Sequence, residues 1–208
     1  MIMMKMSSIL RSNTLIGVTG FATSGKDTLY TICRNNLPSS FNTKRYAFAD
    51  ELKAECDKFL LDNVGISAFT SDPYEKEVIR PLLVTYGTHI RRKLDQNCWI
   101  NRLEERIRSD ALCDHLIFIT DVRFENEALW IKNNGGLIIN VRREGIGPAN
   151  ADEEEQSYLL DKHTSFSIDW PTVGSDQILN LTDHVSPILK KFSEARKRCK
   201  RNANLGNA

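Results

Sequence analysis

Seven residues constrain this chain more than any others: Gly20-Phe21-Ala22-Thr23-Ser24-Gly25-Lys26. They match G-x-x-x-x-G-K. An apolar, β-branched run, Leu-Ile-Gly-Val-Thr at 15–19, precedes them, and a helix-forming run from 27 to 36 follows. Strand, glycine-rich turn and helix in that order form the context in which the motif binds a nucleotide triphosphate. The glycines let backbone N–H groups turn inward around phosphate oxygens, and the next helix offers its positive end. Lys26 is a mobile point charge for the β- and γ-phosphates. The loop residues expected on the nucleotide are Gly20, Thr23, Ser24, Gly25, Lys26, Asp27 and Thr28. A hydroxyl residue commonly follows the lysine and meets Mg²⁺. Here Asp27 takes that place and Thr28 comes next, so both are candidate Mg²⁺ ligands.

The rest of the chain reads as strands alternating with helices. Residues 46–48, 116–120 and 137–141 suit strands, with a last one at 177–181. Helices are expected over 50–61, 81–94, 98–107, 124–132 and 185–198, with 143–157 a polar segment and the tail after Lys200 frayed. This alternation predicts an α/β, three-layer P-loop NTPase fold: a mostly parallel sheet with helices on both faces. Ligands in such folds bind where strands end in loops, here at Gly20, Asp50 and Asp121.

Two further clusters carry chemistry. Asp121-Val-Arg123-Phe-Glu-Asn-Glu127 follows the most apolar strand. Asp121 stands where a metal-organising acid is expected, and Arg123 can grip a phosphate in a bidentate manner. Glu127, one helical turn beyond Arg123, is placed to orient it or to accept from a substrate. The other cluster is the segment 80–99, with Arg80, Arg91 and Arg92 for a monophosphate and Tyr86, Thr88 and Trp99 for a base. Eleven residues separate Arg80 from Arg91, about three helical turns, so one helix side is expected to carry both. Trp99 suits either a stacking site or the core.

Composition narrows the alternatives. The 208 residues carry 28 Lys+Arg against 27 Asp+Glu, a net charge of +1, so no overall polyanion-binding character is expected. The basic residues between 190 and 201 read as a solvated helix and tail. No apolar run reaches the roughly 18 residues that span a bilayer. The opening MIMMKMSSIL lacks a continuous apolar region and a cleavage site, and reads as a leader or alternative start. Five cysteines without a CxxC pair point to reduced thiols in a cytoplasm.

The strand–GxxxSGKDT start, the RxLLxxYGTxxRR segment with its Trp, and the DVRFxNE block occur here in order. Together they resemble the deoxynucleoside monophosphate kinases of tailed bacteriophages, of the P-loop group that includes phosphomevalonate kinase. The resemblance runs from about Leu15 to Leu181. It implies one kinase domain over 1–208, with an acceptor-binding helical part at about 50–110 and a lid at about 143–165. It implies transfer of the ATP γ-phosphoryl group to a dNMP with Mg²⁺, in a host cytoplasm, by a possible homodimer with no stable nucleic-acid partner. Carried over, Asp50, Arg80, Gly87, Thr88, Arg91, Trp99, Asp121, Arg123 and Glu127 fall on the acceptor, and Lys26, Arg123 and Asp121 on catalysis. Arg142 or Arg143 would serve as a lid arginine. Asp161–Ser165 is similar to a D-x-H-x-S-E stretch of relatives, with Phe166 in place of the Glu. Other readings are a different small-molecule kinase of this fold, a nucleic-acid-stimulated ATPase and a nucleotide sensor.

Overall fold

The computed structural model describes residues 14–110, 115–174 and 181–205. It divides into two compact units, one of residues 1–45 with 111–208 and one of 46–110. The expected leader, Cys113 and nearly all of the expected strand at 177–181 lie outside the described residues.

The first unit is built on a five-stranded sheet. Its strands are β1 (Thr14–Thr19), β2 (Asn42–Tyr46), β3 (His115–Ile119), β4 (Leu137–Arg143) and β5 (Phe166–Trp170), in the order β2-β3-β1-β4-β5. β1 lies at the centre, parallel to β3 with Ile16 opposite Phe118, and parallel to β4 with Val18 opposite Ile139. β5 extends the sheet in parallel, Val141 opposite Ile168. The α/β, three-layer P-loop arrangement expected from the sequence is therefore the observed one.

Strand alternation decides what covers each face. Ile16, Val18, Leu116, Phe118, Ile139, Val141, Ile168 and Trp170 point to one side. There they meet Leu29, Ile32 and Cys33 of helix α1 (Lys26–Asn36), and Val185, Ile188 and Phe192 of the C-terminal helix (Thr182–Leu205). Phe118 takes edge contacts from Tyr30 and Phe192, with ring centroids 5.3 and 5.9 Å away. On the other side, Ile131 comes so close to Gly17 that a Cβ there would sit 2.7 Å from its Cδ1.

The second unit is helical: α2 (Phe48–Val64), α3 (Pro73–Val84), a π-helical stretch Thr85–Arg91 closed by an α-helical turn Arg92–Leu94, and α4 (Cys98–Ser109). Asp72 caps α3 by accepting from the Glu75 N–H at 3.0 Å, with Pro73 in the first turn. Cys56, Leu60, Ala68 and Ile79 form one core cluster of this unit. Three helices complete the sheet unit: α5 (Glu125–Asn133), α6 (Ala151–Asp161) and α7, the C-terminal helix already described.

Several expectations are corrected. The second strand ends at Tyr46, and Phe48 already belongs to α2, so Asp50 lies in a helical first turn and not at a strand end. Ala47 is the N-cap position, without a side-chain bond. The helix expected at 81–94 begins eight residues earlier, at Pro73, and Pro81 lies inside it. The polar segment 143–157 contains the start of α6, and the tail expected to fray is helical to Leu205.

Candidate functional site

The loop leaves β1 at the centre of the sheet and enters α1 through three left-handed or positive-φ residues: Gly20 (φ 135°), Thr23 (φ 62°) and Gly25 (φ 96°). Gly20 is required because a Cβ there would lie 2.2 Å from the Val141 carbonyl oxygen. Gly25 is required twice, by its φ and by the Trp170 ring, which a Cβ would approach to 2.8 Å. Thr23 is the positive-φ residue with a side chain among the described residues. A β-branched residue in that conformation stores about 1–3 kcal/mol, a cost typical of ligand clamps.

Trp170, at the end of β5, fastens the loop from the side. Its indole N–H donates to the Ser24 carbonyl at 2.9 Å, and it is 4% exposed. The Ser24 side chain is buried, and among the described residues its Oγ has no hydrogen-bond partner. A buried hydroxyl without a partner is costly, and a ligand phosphate is the kind of group that satisfies it.

Lys26 turns its Nζ back onto the carbonyls of Gly20 and Phe21, both at 2.7 Å. Burial pushes its pKa down, and the charge of Arg123 pushes the same way. Glu153, Asp121 and Asp27 oppose this, in decreasing order. The structure thus brings Asp27, Asp121 and Arg123 each within electrostatic reach of Lys26. Asp27 Oδ1 accepts from Arg45 Nε at 2.7 Å and from the Thr120 hydroxyl at 3.1 Å. Thr28 is half-buried beside it in the first turn of α1.

Strand alternation separates the two lid candidates. Arg143 reaches the loop, its Nη1 donating to the Thr23 carbonyl at 3.3 Å, while its Nε donates to Thr172. Arg142 turns instead to β5, donating to Ser167 Oγ at 3.1 Å, and is exposed. Arg142 is therefore not beside the phosphate loop. A cavity of about 330 Å³ adjoins, lined by Arg142, Arg143, Glu144, Asp169, Trp170 and Pro171.

Of the two roles expected for Glu127, its contacts agree with positioning Arg123 and not with accepting from a substrate. It is 1% exposed, and its Oε2 accepts from the backbone N–H groups of Arg123 at 2.8 Å and Phe124 at 3.1 Å. It fixes the loop that carries Arg123 and is not open to a substrate. His163 Nε2 lies 2.9 Å from Glu125 Oε1 and ties the end of α6 to α5.

In the helical unit, Trp99 is 2% exposed and its N–H donates to the Gly87 carbonyl at 3.3 Å. It belongs to the core and offers no face to a base. Gly87 is buried because Leu52 packs where its Cβ would be, 2.7 Å away. Arg80 is exposed, Thr88 and Asp50 are half-buried, and Tyr86 donates to Glu55 at 2.6 Å. Arg91 stands over the Trp99 ring, 5.5 Å from its centroid, with its Nε 3.3 Å from Glu55. The π-helical stretch between Arg80 and Arg91 breaks the 3.6-residue count, so the side expected to carry both is lost. A second cavity, of about 240 Å³, is lined by Arg91, Leu94, Asp95, Cys98, Asn101, Arg102 and Glu105.

Trp170, Glu153, Arg45 and Thr120 were not anticipated. Two of them had a signal. Phe166-Ser-Ile-Asp-Trp170 alternates apolar and polar residues as a half-buried strand does, and Asn150-x-x-Glu153 is the signature of a helix start.

No family model and no curated protein matches the chain. Among solved structures, the Thermus thermophilus protein TT1252 is similar with a TM-score of 0.42 and 13% identity, over 86% of this chain and 97% of that one. Among the described residues, no helix is long and apolar enough to cross a membrane.

Proposed function

We propose that this chain is an ATP-dependent phosphotransferase that moves the γ-phosphoryl group of ATP to a deoxynucleoside monophosphate, giving the dNDP and ADP. The observation that carries the reading is the loop itself. Positive-φ residues at the end of a central parallel strand turn it into a helix N-terminus beside Lys26, with an unpartnered hydroxyl at Ser24. That arrangement is suited to a chain of phosphates. The choice of acceptor rests on the ordered sequence blocks that resemble the phage kinases.

Phosphoryl transfer asks the protein for positioning and positive charge more than for covalent chemistry. Lys26 would leave the Gly20 and Phe21 carbonyls for the β- and γ-phosphates. Arg143 is the lid arginine near the loop. Arg123, held by the Glu127 bonds to its own and the next backbone N–H, would grip the acceptor phosphate. Asp121 would organise Arg123 or water. By the sequence resemblance alone, Arg80, Gly87 and Thr88 fall in the segment associated with the acceptor. A nucleotide phosphate oxygen is already anionic, so no strong general base is needed.

Mg²⁺ fits the donor set. Asp27 and Thr28 supply hard oxygen ligands, and the Asp27 side chain is 70% exposed. Among the described residues no group of three or more His, Cys, Asp or Glu forms a metal cage, so the ion would be shared with the nucleotide's own oxygens. When bound, it would neutralise charge on the transferring phosphates.

The burial of Trp99 removes one reason to prefer a base over a small phosphorylated acid. A phosphomevalonate-like kinase is therefore the second reading. The test is ADP release with Mg·ATP against dAMP, dCMP, dGMP and dTMP, with ribonucleotides and phosphomevalonate alongside. Turnover dependent on a dNMP is expected. Turnover with phosphomevalonate alone would replace the acceptor, and silence with every acceptor would leave a sensor or a nucleic-acid-stimulated ATPase.

A further inference from the structure

Helix α6 begins with Asp152, Glu153 and Glu154, and one of these acids, half-buried Glu153, is tied to the loop after β1. Glu153 Oε1 accepts from the backbone N–H of Ala22, inside the phosphate loop and 131 residues away in the chain, at 3.0 Å. Its Oε2 accepts from the Ala149 N–H at 2.7 Å, so the carboxylate bridges the loop and the start of its own helix. The Asn150 side chain fixes that first turn by accepting from the Glu153 N–H at 2.8 Å.

We propose that Glu153 is a built-in competitor of the nucleotide: its carboxylate caps the phosphate loop, and α6 must release it before a triphosphate can seat. The proposal rests on the reading of the loop as a triphosphate site and names how that site is regulated. A carboxylate and a phosphate are both anionic acceptors with the same use for the loop's N–H groups and for Lys26. Among the carboxylates acting on Lys26, Glu153 has the largest effect. The two anions repel, so the first must leave when the second arrives.

The helix is built for such a release. Of the eleven residues of α6 only Leu160, near its far end, is buried. That end is held by Asn140 donating to Asp161 and by His163 beside Glu125. The first turn has no buried apolar residue, so detaching it exposes little core. Gly145 and Gly147 precede it and give the connection freedom to swing. α6 therefore pivots about its C-terminal end, with Glu153 as the latch.

The experiment measures the affinity of the full chain for Mg·ATP and for inorganic tripolyphosphate, with Glu153→Gln and the exposed neighbour Glu154→Gln. Amide exchange at Ala22 and Ala149 is followed in parallel. Glu153→Gln is expected to bind both compounds on the order of tenfold tighter, as follows if the capped form is about nine-tenths of the free protein. Glu154→Gln should match the parent. In the parent, tripolyphosphate should leave Ala22 protected and speed exchange at Ala149, whose partner has left. Equal or weaker binding by Glu153→Gln would overturn the competition while leaving the loop's reading intact. Failure of every protein to bind either compound would overturn the reading and the proposal together.

Discussion

The loop's conformation is fixed by a few single residues, and each has a measurable consequence. Gly25 meets two conditions that no other residue meets, a φ of 96° and contact with Trp170. Gly25→Ala is expected to cost about 2 kcal/mol or more and to abolish nucleotide binding, readable by denaturant titration and calorimetry. Trp170→Phe keeps a six-membered aromatic ring but loses the pyrrole half of the indole, with the N–H that serves the Ser24 carbonyl. It is expected to cost about 1–3 kcal/mol, the penalty of an unpartnered buried acceptor, with weaker ATP binding. Lys26→Ala and Arg123→Ala should each lower turnover by on the order of 10²- to 10³-fold, as for other groups that stabilise developing charge. Near-normal turnover in Lys26→Ala would remove that residue from the mechanism. At this scale the sequence was most legible where chemistry and backbone coincide, in the glycines and the lysine of the loop. Trp170 was hidden because its role comes from sheet order, which sets β5 beside β4 and so beside the loop.

At the scale of elements, the helical unit offers a pH test. Tyr46 is 5% exposed, and its hydroxyl donates to Asp110 Oδ2 at 2.5 Å. Burial raises its pKa, and the bond to Asp110 raises it further. The folded phenol thus holds its proton more tightly than the unfolded one. The stabilisation is fully present below the ordinary tyrosine value of about 10 and is lost as pH rises through the raised one. The urea midpoint should fall steeply between about pH 10 and 12 in the parent and less so in Tyr46→Phe. An equal fall in both would remove Tyr46 as its cause. The elements themselves were legible in proportion to their periodicity. The runs at 15–19, 116–120 and 137–141 are apolar on both faces and read as buried strands. β2, with Asn42, Lys44 and Arg45, lies at the edge of the sheet and carries too few apolar residues for a strand pattern, so only the apolar Tyr46–Phe48 reads as strand. Pro81 suggested a helix start because proline fits a first turn, yet Asp72-Pro73 supplies the observed cap. The π-helical stretch leaves no mark in a 3.6-residue pattern at all.

For the whole molecule, the sheet unit holds the phosphate loop with Asp121, Arg123 and Arg143, and the helical unit holds Asp50, Arg80, Thr88 and Arg91. The near-balance of 28 basic and 27 acidic residues fits a protein that collects positive charge at one loop more than over its whole surface. Buried Cys33, Cys56 and Cys98 are free thiols, and burial pushes Cys33 up to about 12, so it packs as a small apolar group. The central claim is that a phosphoryl group passes from ATP to a nucleotide on this chain. The most direct measurement follows γ-labelled ATP in single-turnover mixtures with Mg²⁺ and each dNMP, separating labelled dNDP from labelled inorganic phosphate. The account predicts label in dNDP with at least one base, lost in Lys26→Ala and retained in Glu154→Gln. Label appearing only as inorganic phosphate, whatever the acceptor, would contradict it.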